Sequence, residues 1–525
     1  MLMRENNISL WQHMPLPQFP RLSSSTRTDV CVVGAGIAGL TTAYHLAAQG
    51  YRVIVLESDA VGSGQTGRTT AHLTHAMDDR FSRLQKLHGA EALKLITESH
   101  TAAIDQIERT VCEEDIRCDF ARVDGYLILG YEHDFDFLNR EYTAALESGL
   151  GKVECVEQVP LLSEGRIPAI KFPGQAQFHP LKYLTGLAAA VIRKGGRIYA
   201  KTHVVNVQSQ GKNGVEILTQ NGYRVDASAV VIATNVPVND RFAIHTKQYP
   251  YRSYVVGLKM LKPAAESALI WDTSDPYHYV RTYNDVLVVG GEDHKTGQTD
   301  EYFHHYGVLE DWARAHFSGL GEIKFRWSGQ VIEPMDGLAY IGRNPGDENV
   351  YIATGDSGQG LTHGTIAGLL LTDLIRGKSH PWEKIYDPKR VRLRAAPTYV
   401  TENANVAAQY TDWVRGGDSE IKDLPNDSGT VIRRGLQKIA VYKDPEGQTH
   451  QVSANCPHLH GVVRWNATEK TWDCPCHGSR FDRMGGVIEG PAICNLKPVG
   501  EEEAPDVHSL PVFREEIKSG LRESG

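Results

Sequence analysis

Residues 29–58 read DVCVVGAGIAGLTTAYHLAAQGYRVIVLES, and this stretch decides the fold. Residues 30–33 form a short apolar run rich in β-branched side chains, the composition of a strand buried on both faces. Residues 37–49 carry helical spacing, and Gly50 supplies a C-terminal stop. Residues 53–56 are a second buried strand, so the stretch is a βαβ unit. Between the first strand and the helix stands G-A-G-I-A-G. Gly34 permits a tight turn, Gly36 lets the backbone approach a pyrophosphate, and Gly39 lets helix and strand pack closely. The helix N-terminus adds free N–H groups and a positive dipole end. Glu57 closes the second strand, where an acid binds ribose hydroxyls. A lone GxGxxG says little, but inside a complete βαβ unit with that acid it indicates a dinucleotide site.

The 525 residues are enough for two to four domains at roughly 100–200 residues each. The chain is 41% hydrophobic and 23% charged, as globular proteins are. A net charge of −9 speaks against a general nucleic-acid partner, since phosphate affinity rests on Lys and Arg. No run approaches the ~20 apolar residues of a membrane span. The first residues, MLMRENNISLWQHMPLPQFPRL, lack the apolar core of a secretory signal. No membrane span and a cytoplasmic location are therefore expected. Cys31, Cys112, Cys118 and Cys155 are scattered, whereas Cys456, Cys474, Cys476 and Cys494 crowd together. That distribution suits a reducing compartment and a metal site better than a disulfide framework.

Along the chain, residues 1–28 read as an extended, Pro-rich lead-in. Residues 78–115 look helical throughout. Residues 180–233 contain a helix, short strands near Ile198, Val204 and Val215, and a buried strand over 229–233. Residues 245–292 alternate like antiparallel strands. A strand over 350–353 leads into Gly355, Gly358 and Gly360 and then a helix over 361–375. Residues 387–427 are charged and carry Pro388, Pro397 and Pro425, the texture of a linker with one short helix. From about Thr430 short strands and turns predict a small β domain.

That last region contains Cys456-x-His458, then residues 459–473, then Cys474-x-x-His477. Two loops thus offer two thiolates and two imidazoles. Zinc accepts such a set, but zinc fingers pair like ligands. Here each loop gives one Cys and one His, which suits a 2Fe–2S cluster in which two histidines replace two cysteines on one iron.

On these residues the chain resembles two families. Roughly 28–380 resembles the D-amino-acid-oxidase-like FAD-dependent oxidoreductases (the D-amino-acid and glycine oxidase type). The likeness rests on the opening stretch, HPLKYLTGLAAAVIRKGGRIYAKTHVVNV, ASAVVIATN, WSGQVIEPMDGLAYIGR and GDSGQGLTHGTIAGLLLTDLI. It implies an α/β Rossmann-type FAD-binding domain with an antiparallel-sheet substrate domain of α+β type. By this resemblance Arg68 and Thr69 belong to the loop 62–72 that passes close to the flavin. Val205 sits on the adenine-side strand, Ala233 and Thr234 lie near the pyrophosphate, and the helix after Gly355, Gly358 and Gly360 faces the flavin. His72 falls in the flavin-side loop, but its context does not match a covalent-histidine pattern, so non-covalent FAD is expected. Relatives usually oxidise a C–N bond. In the sheet expected to cover the flavin, Arg252 or Arg281 could fork onto a substrate carboxylate, with Tyr254 assisting. Glu292 or His294 could also lie near the site.

Residues 428–515 resemble Rieske domains, including GSRFD after the second loop and the turn at 490–492, which in the family covers the cluster. The resemblance implies one 2Fe–2S cluster, with Cys456 and Cys474 on one iron and His458 and His477 on the other. Family members in respiratory complexes pair an extra cysteine of each loop. Cys476 holds one such position, but Gly461 holds the other. The layout expected is an extension over 1–28, an oxidoreductase over 29–386 with a discontinuous substrate part including about 245–325, a linker over 387–427 and a Rieske domain over 428–515. The function expected is a dehydrogenase: a small substrate, an amine or amino acid, reduces FAD. Electrons then pass to the cluster and on to an external acceptor, a protein or small molecule. The alternative is an electron-transfer flavoprotein or reductase component feeding an oxygenase, which would normally show a second dinucleotide motif.

Overall fold

The structure, a computed structural model, describes residues 7–130, 132–163, 166–238, 244–298, 302–413 and 421–499. Parts of the expected N-terminal extension and linker, and residues 500–515 of the expected Rieske domain, lie outside them. The βαβ unit is present as strand Thr26–Val33, helix Ile37–Ala48 and strand Val53–Leu56. Residues 30–33 are all buried, as a strand covered on both faces requires. The unit belongs to an eight-stranded sheet whose main order is Tyr340–Arg343, Val350–Thr354, Arg224–Ile232, Thr26–Val33, Val53–Leu56, Arg197–Tyr199. Neighbours in this order run parallel except at the Tyr340–Arg343 edge. A hairpin of Val204–Ser209 and Val215–Thr219 joins it antiparallel.

Two helices pack together on this sheet. A Cβ added at Gly364 of helix Gly360–Ile375 would lie 2.6 Å from Ile37 Cγ2, and one at Gly368 would collide with Thr41. These contacts advance together along both helices. The helices therefore run parallel, and helix Gly360–Ile375 starts about one turn further out than helix Ile37–Ala48.

The second sheet has nine strands. Its order is Leu320–Pro334, Gln248–Met260, Val286–Lys295, Tyr279–Tyr283, Ala268–Asp272, Ala121–Ile128, Ala169–Gln177, His72–Leu73, with Glu154–Val156 beside Ala169–Gln177. The stretch 245–292 does supply antiparallel strands, but Ala268–Asp272 pairs with Ala121–Ile128 in parallel, so the sheet is mixed. The C-terminal region forms two small antiparallel sheets, Ser428–Arg434 to Thr449–Ser453 and Arg464–Asn466 to Val487–Glu489.

One local expectation needs correction, and two others gain detail. The helical stretch 78–115 is two helices, Phe81–His88 and Ala90–Glu113, broken at Gly89, whose φ is +89°. The described part of the N-terminal lead-in is anchored to the oxidoreductase. Trp11 is fully buried, donates through Nε1 to Thr69 O at 2.6 Å, and meets Tyr283 edge-on. The linker contains a helix, Ala396–Gln409, and the turn after it clasps the C-terminal domain. Tyr410 donates to Leu459 O at 2.7 Å, and Trp413 Nε1 to His460 O at 2.9 Å.

The C-terminal domain docks on the second sheet through buried charges. Arg252 Nη2 donates to Glu469 Oε2 at 2.8 Å, and Arg480 bonds Glu469, Asp473 and Glu489. Arg252 and Glu469 have fully buried side chains. Each ion has a partner, which a charge taken out of water requires.

Candidate active site and cluster site

A cavity of about 1200 Å³ opens at the carboxyl ends of the parallel strands, where Val33, Leu56, Ala233 and Thr354 line it. This is where open α/β sheets bind ligands. Its volume exceeds the roughly 300–1,000 Å³ typical of small-ligand sites, leaving room for a dinucleotide and a substrate together.

The glycine turn forms one end. Gly34 has φ +104°, and a Cβ there would collide with Ala233 O. A Cβ at Gly39 would collide with Gly34 O, so Gly39 packs beneath the turn and does not line the cavity. Gly36 lines it, and so do the first residues of both parallel helices, Ile37 and Gly360. Their N–H groups and dipoles favour an anion there. Glu57 lines the same end and holds it in shape. Its Oε2 accepts from Ala35 N at 2.8 Å and its Oε1 from Asp59 N at 2.9 Å. Val204 lines this end and Val205 does not, because neighbouring strand residues face opposite sides. The C-terminal domain closes it with Glu489, Gly490, Ala492, Ile493 and Cys494. His203 Nε2 reaches Ile493 O at 2.9 Å.

Ala233, Thr234, Arg68 and Thr69 line the middle, as do Gly355, Gly358 and Gly360. Arg68 Nη1 donates to Asn7 Oδ1 at 2.7 Å and to Ser328 O at 3.1 Å.

The second sheet supplies a different wall, containing Ser253, Trp271, Tyr277, Tyr279 and Asp293, with Asp78 and His72 beside it. Tyr277 donates to Asp78 Oδ2 at 2.9 Å, and Tyr279 Oη lies 2.6 Å from Ser253 Oγ. Burial pushes Asp78 up to about 6, Asp293 up to about 7 and Asp356 up to about 6. His72 is held down to about 3 by burial and so is neutral. Its Nδ1 lies 3.0 Å from Thr70 Oγ1 and its Nε2 3.2 Å from Val280 O.

The three residues expected to hold substrate stand elsewhere. Arg281 is buried and donates to Ala71 O at 2.7 Å and Phe178 O at 3.1 Å, with its guanidinium over Trp11. Arg252 is engaged at the domain interface with Glu469 and Ser328. Tyr254 stacks on His305 at 4.8 Å inside the core beneath helix Tyr302–His316. None of the three lines the cavity. Glu292 faces His278 and His305 at 3.6 and 3.4 Å, and His294 stacks against Tyr254. The residue between them, Asp293, is the one that reaches the cavity. Asp78, five residues beyond strand His72–Leu73, fell at the start of the stretch read as helical. The doublet Asp78-Asp79 after an apolar stretch was its available signal.

The two ligand loops lie together. The sulfurs of Cys456 and Cys474 are within hydrogen-bonding reach, and the rings of His458 and His477 are 5.0 Å apart. Each loop is tightly closed: Cys456 N donates to Gly461 O at 2.9 Å and Cys474 N to Ser479 O at 2.8 Å. Among the described residues, no group of three or more His, Cys, Asp or Glu side chains converges as a single-ion site would need. A two-iron cluster takes two ligands on each iron. The paired thiols and paired imidazoles fit that demand. His460 is exposed, with Nδ1 3.2 Å from Asn455 Oδ1. His245, in the turn that leads into strand Gln248–Met260 of the second sheet, packs its ring 4.7 Å from His458 and 5.8 Å from His477. Sequence reading missed this contact, and no local pattern marks His245.

A dinucleotide cavity beneath a mixed sheet, with a two-Cys, two-His loop pair against it, defines an FAD-dependent oxidoreductase carrying a Rieske iron–sulfur domain. Residues 29–374 match the family model "FAD dependent oxidoreductase" and residues 416–500 the "Rieske [2Fe-2S] domain". The chain belongs to that oxidoreductase family, the D-amino-acid-oxidase superfamily, and has the Rieske domain fused at its C-terminal side. It is 32% identical over 491 residues to the putative Rieske 2Fe-2S iron-sulfur protein YhfW of Bacillus subtilis, covering 92% of this chain and 96% of that one. It is 24% identical over 383 residues to gamma-glutamylputrescine oxidoreductase of Escherichia coli, covering 70% and 87%. Glycine oxidase from Geobacillus kaustophilus superposes with a TM-score of 0.58 at 22% identity, covering 70% of this chain and 99% of that one. The family implies FAD and a 2Fe–2S cluster. Among the described residues no helix is long and apolar enough to cross a membrane.

Proposed function

We propose that the chain is a dehydrogenase that oxidises the C–N bond of a small amine or amino acid and sends the electrons through its cluster to an external acceptor. The observation that carries this reading is Gln330. It lines the cavity, and its Nε2 donates to Gly478 O at 2.8 Å, next to His477. Asn235, another wall residue, donates to Gln330 Oε1 at 3.0 Å. The cluster's histidine loop thus rests on the cavity wall.

When bound, FAD supplies hydride acceptance and the cluster supplies one-electron transfer. The substrate CH–NH unit loses two electrons and two protons and becomes C=N. Gly34, Gly36 and the N-terminus of helix Ile37–Ala48 would hold the pyrophosphate, with Ala233 and Thr234 beside it, and Glu57 would hold the ribose. Arg68, Thr69 and the Gly355–Gly360 turn would border the flavin ring, and Val204 would take the adenine-side place expected of Val205. Cys456 and Cys474 would ligate one iron, His458 and His477 the other. Both ring nitrogens of His72 are in hydrogen bonds, which supports non-covalent FAD. The C–N bond assignment is supported by the amine and amino-acid enzymes among the relatives. The cysteine usage supports a reducing compartment.

The test is anaerobic mixing of the full holo chain with a panel of amines and amino acids. A substrate should bleach the flavin absorbance and then raise the EPR signal of a reduced Rieske cluster. Flavin bleaching with a cluster that stays oxidised would overturn the electron route.

A further inference from the structure

An amino-acid substrate needs a cation facing its carboxylate, and the wall built by the second sheet offers none. Arg252 and Arg281 are engaged away from the cavity. Arg68, the one arginine among the described lining residues, is held by Asn7 and Ser328 and stands in the field of Glu489. Lys201 pairs with Asp59 at the ribose end. His72 and His363 line the cavity as imidazoles that burial keeps neutral.

On that wall two carboxylates face the space instead, and a third lining carboxylate, Asp356, accepts from Ile332 N at 3.3 Å. Asp78 accepts from Tyr277. Asp293 extends from strand Val286–Lys295, and its Oδ1 is buried with no hydrogen-bond partner. Among the described residues neither carboxylate is in an ion pair. The guanidinium of Arg80 exerts a field on Asp78, but it donates to Asp272 O at 2.7 Å. The charge of Asp78 in turn disfavours ionisation of Asp293, and burial raises both groups. A buried carboxylate without a cation is costly, and a pair facing one space is costlier. Such an arrangement persists where a ligand brings the missing charge. The rings of Tyr277, Tyr279 and Trp271 line the same wall, and aromatic surfaces beside carboxylates suit alkylammonium groups.

We propose that this wall selects a cationic amine whose chain carries a second ammonium or guanidinium group, with Asp78 and Asp293 as its recognition residues. The proposal rests on the amine-dehydrogenase reading above. One carboxylate takes the proton that the reacting nitrogen sheds, and the other pairs with the second cation. A substrate carboxylate placed there would meet two like charges.

The test uses the holo full-length chain, kept anaerobic, with 1,4-diaminobutane, butylamine, 4-aminobutanoate and L-alanine as probes. Binding is read from the perturbed flavin absorption spectrum and reduction from its bleaching. The diamine should bind about tenfold more tightly than butylamine and about a hundredfold more tightly than 4-aminobutanoate. Asp293→Asn and Asp78→Asn should each weaken diamine binding about tenfold while flavin and iron content stay at wild-type level. If either variant does not fold, the wild-type ranking of the four probes decides alone. The proposal is overturned if 4-aminobutanoate or L-alanine binds as tightly as the diamine, or if a folded Asp293→Asn binds the diamine normally. Bleaching by L-alanine or 4-aminobutanoate but not by the diamine sinks the cation proposal and leaves the dehydrogenase reading standing. Neither binding nor bleaching by any of the four removes both.

Discussion

Arg281 does not line the cavity, and its fully buried side chain ties together three segments. Its guanidinium bridges Ala71, Phe178 and the ring of Trp11. Arg281→Met should therefore act on stability, by about 2–4 kcal/mol, because buried carbonyls lose a charged donor. Thermal unfolding followed by circular dichroism checks this. A raised KM with an unchanged melting temperature would return Arg281 to the site. His278 and Glu292 make a second residue-scale case. Burial alone would lower His278, but its bond to Asp272 and the neighbouring Glu292 carboxylate carry it up to about 9. The neighbouring His278 and His305 rings hold Glu292 down to about 2. A raised histidine stabilises fully below its ordinary value of 6.5 and loses that contribution as pH rises through about 9. A depressed carboxylate stabilises above its ordinary 4.5 and loses that contribution as pH falls through about 2. Their joint contribution should be complete between those two ordinary values. His278→Gln should flatten the alkaline side of a melting-temperature profile. At this scale the sequence was legible in type but not in parity. It pointed to 292 and 294 when 293 faces the cavity, and to 205 when 204 does. Alternation alone cannot say which face of a doubly covered strand meets a ligand.

The elements that carry chemistry announced themselves because their parts are local. A glycine turn between strand and helix, and two short Cys/His loops, are each written within a few residues. Their supports are not. Tyr410 and Trp413, in what reads as linker, hold the first ligand loop, and nothing nearby in the chain indicates that. The geometry between the loops supports a specific prediction. A Cβ built at Gly461 lies 3.4 Å from Cys476 Cβ and 2.6 Å from its Sγ. Disulfide-bonded residues usually place their Cβ atoms about 3.5–4.5 Å apart. Gly461→Cys should therefore bridge to Cys476 under oxidising conditions. Thiol counting and a mass loss of two hydrogens on the intact chain check it. A variant that keeps both thiols free after oxidation would show that the loops stand further apart in solution.

The whole molecule is held together by contacts between residues hundreds of positions apart, which is why no motif foretold them. Arg252, Glu469, Arg480 and Glu489 form a buried charge network across the domain boundary. Arg252→Met should loosen docking by about 3–5 kcal/mol, since Glu469 loses a fork of donors while still buried. Faster proteolytic cutting between the domains would report it, and an unchanged cutting rate would contradict it. The network also sets an acid limit. Burial alone would raise Glu489, but Arg480, Arg252 and Arg68 overcome that and hold it at about 2. Its contribution is present above its ordinary 4.5 and lost as pH falls through about 2. Undocking should therefore precede unfolding of the parallel-sheet domain in an acid titration followed by proteolysis.

The segment from Glu489 to Cys494 is both part of the iron–sulfur domain and a lid on the nucleotide end of the cavity. An ordered maturation is the expected consequence: a flavin enters more easily before that lid settles, and the lid belongs to a domain whose two ligand loops are built for iron. Cells starved of iron should accumulate chain that exchanges its flavin freely. Cells starved of riboflavin should make a domain that closes on an empty chamber and later resists loading. The two cofactor supplies, unrelated in their metabolism, would then meet in the biogenesis of one polypeptide.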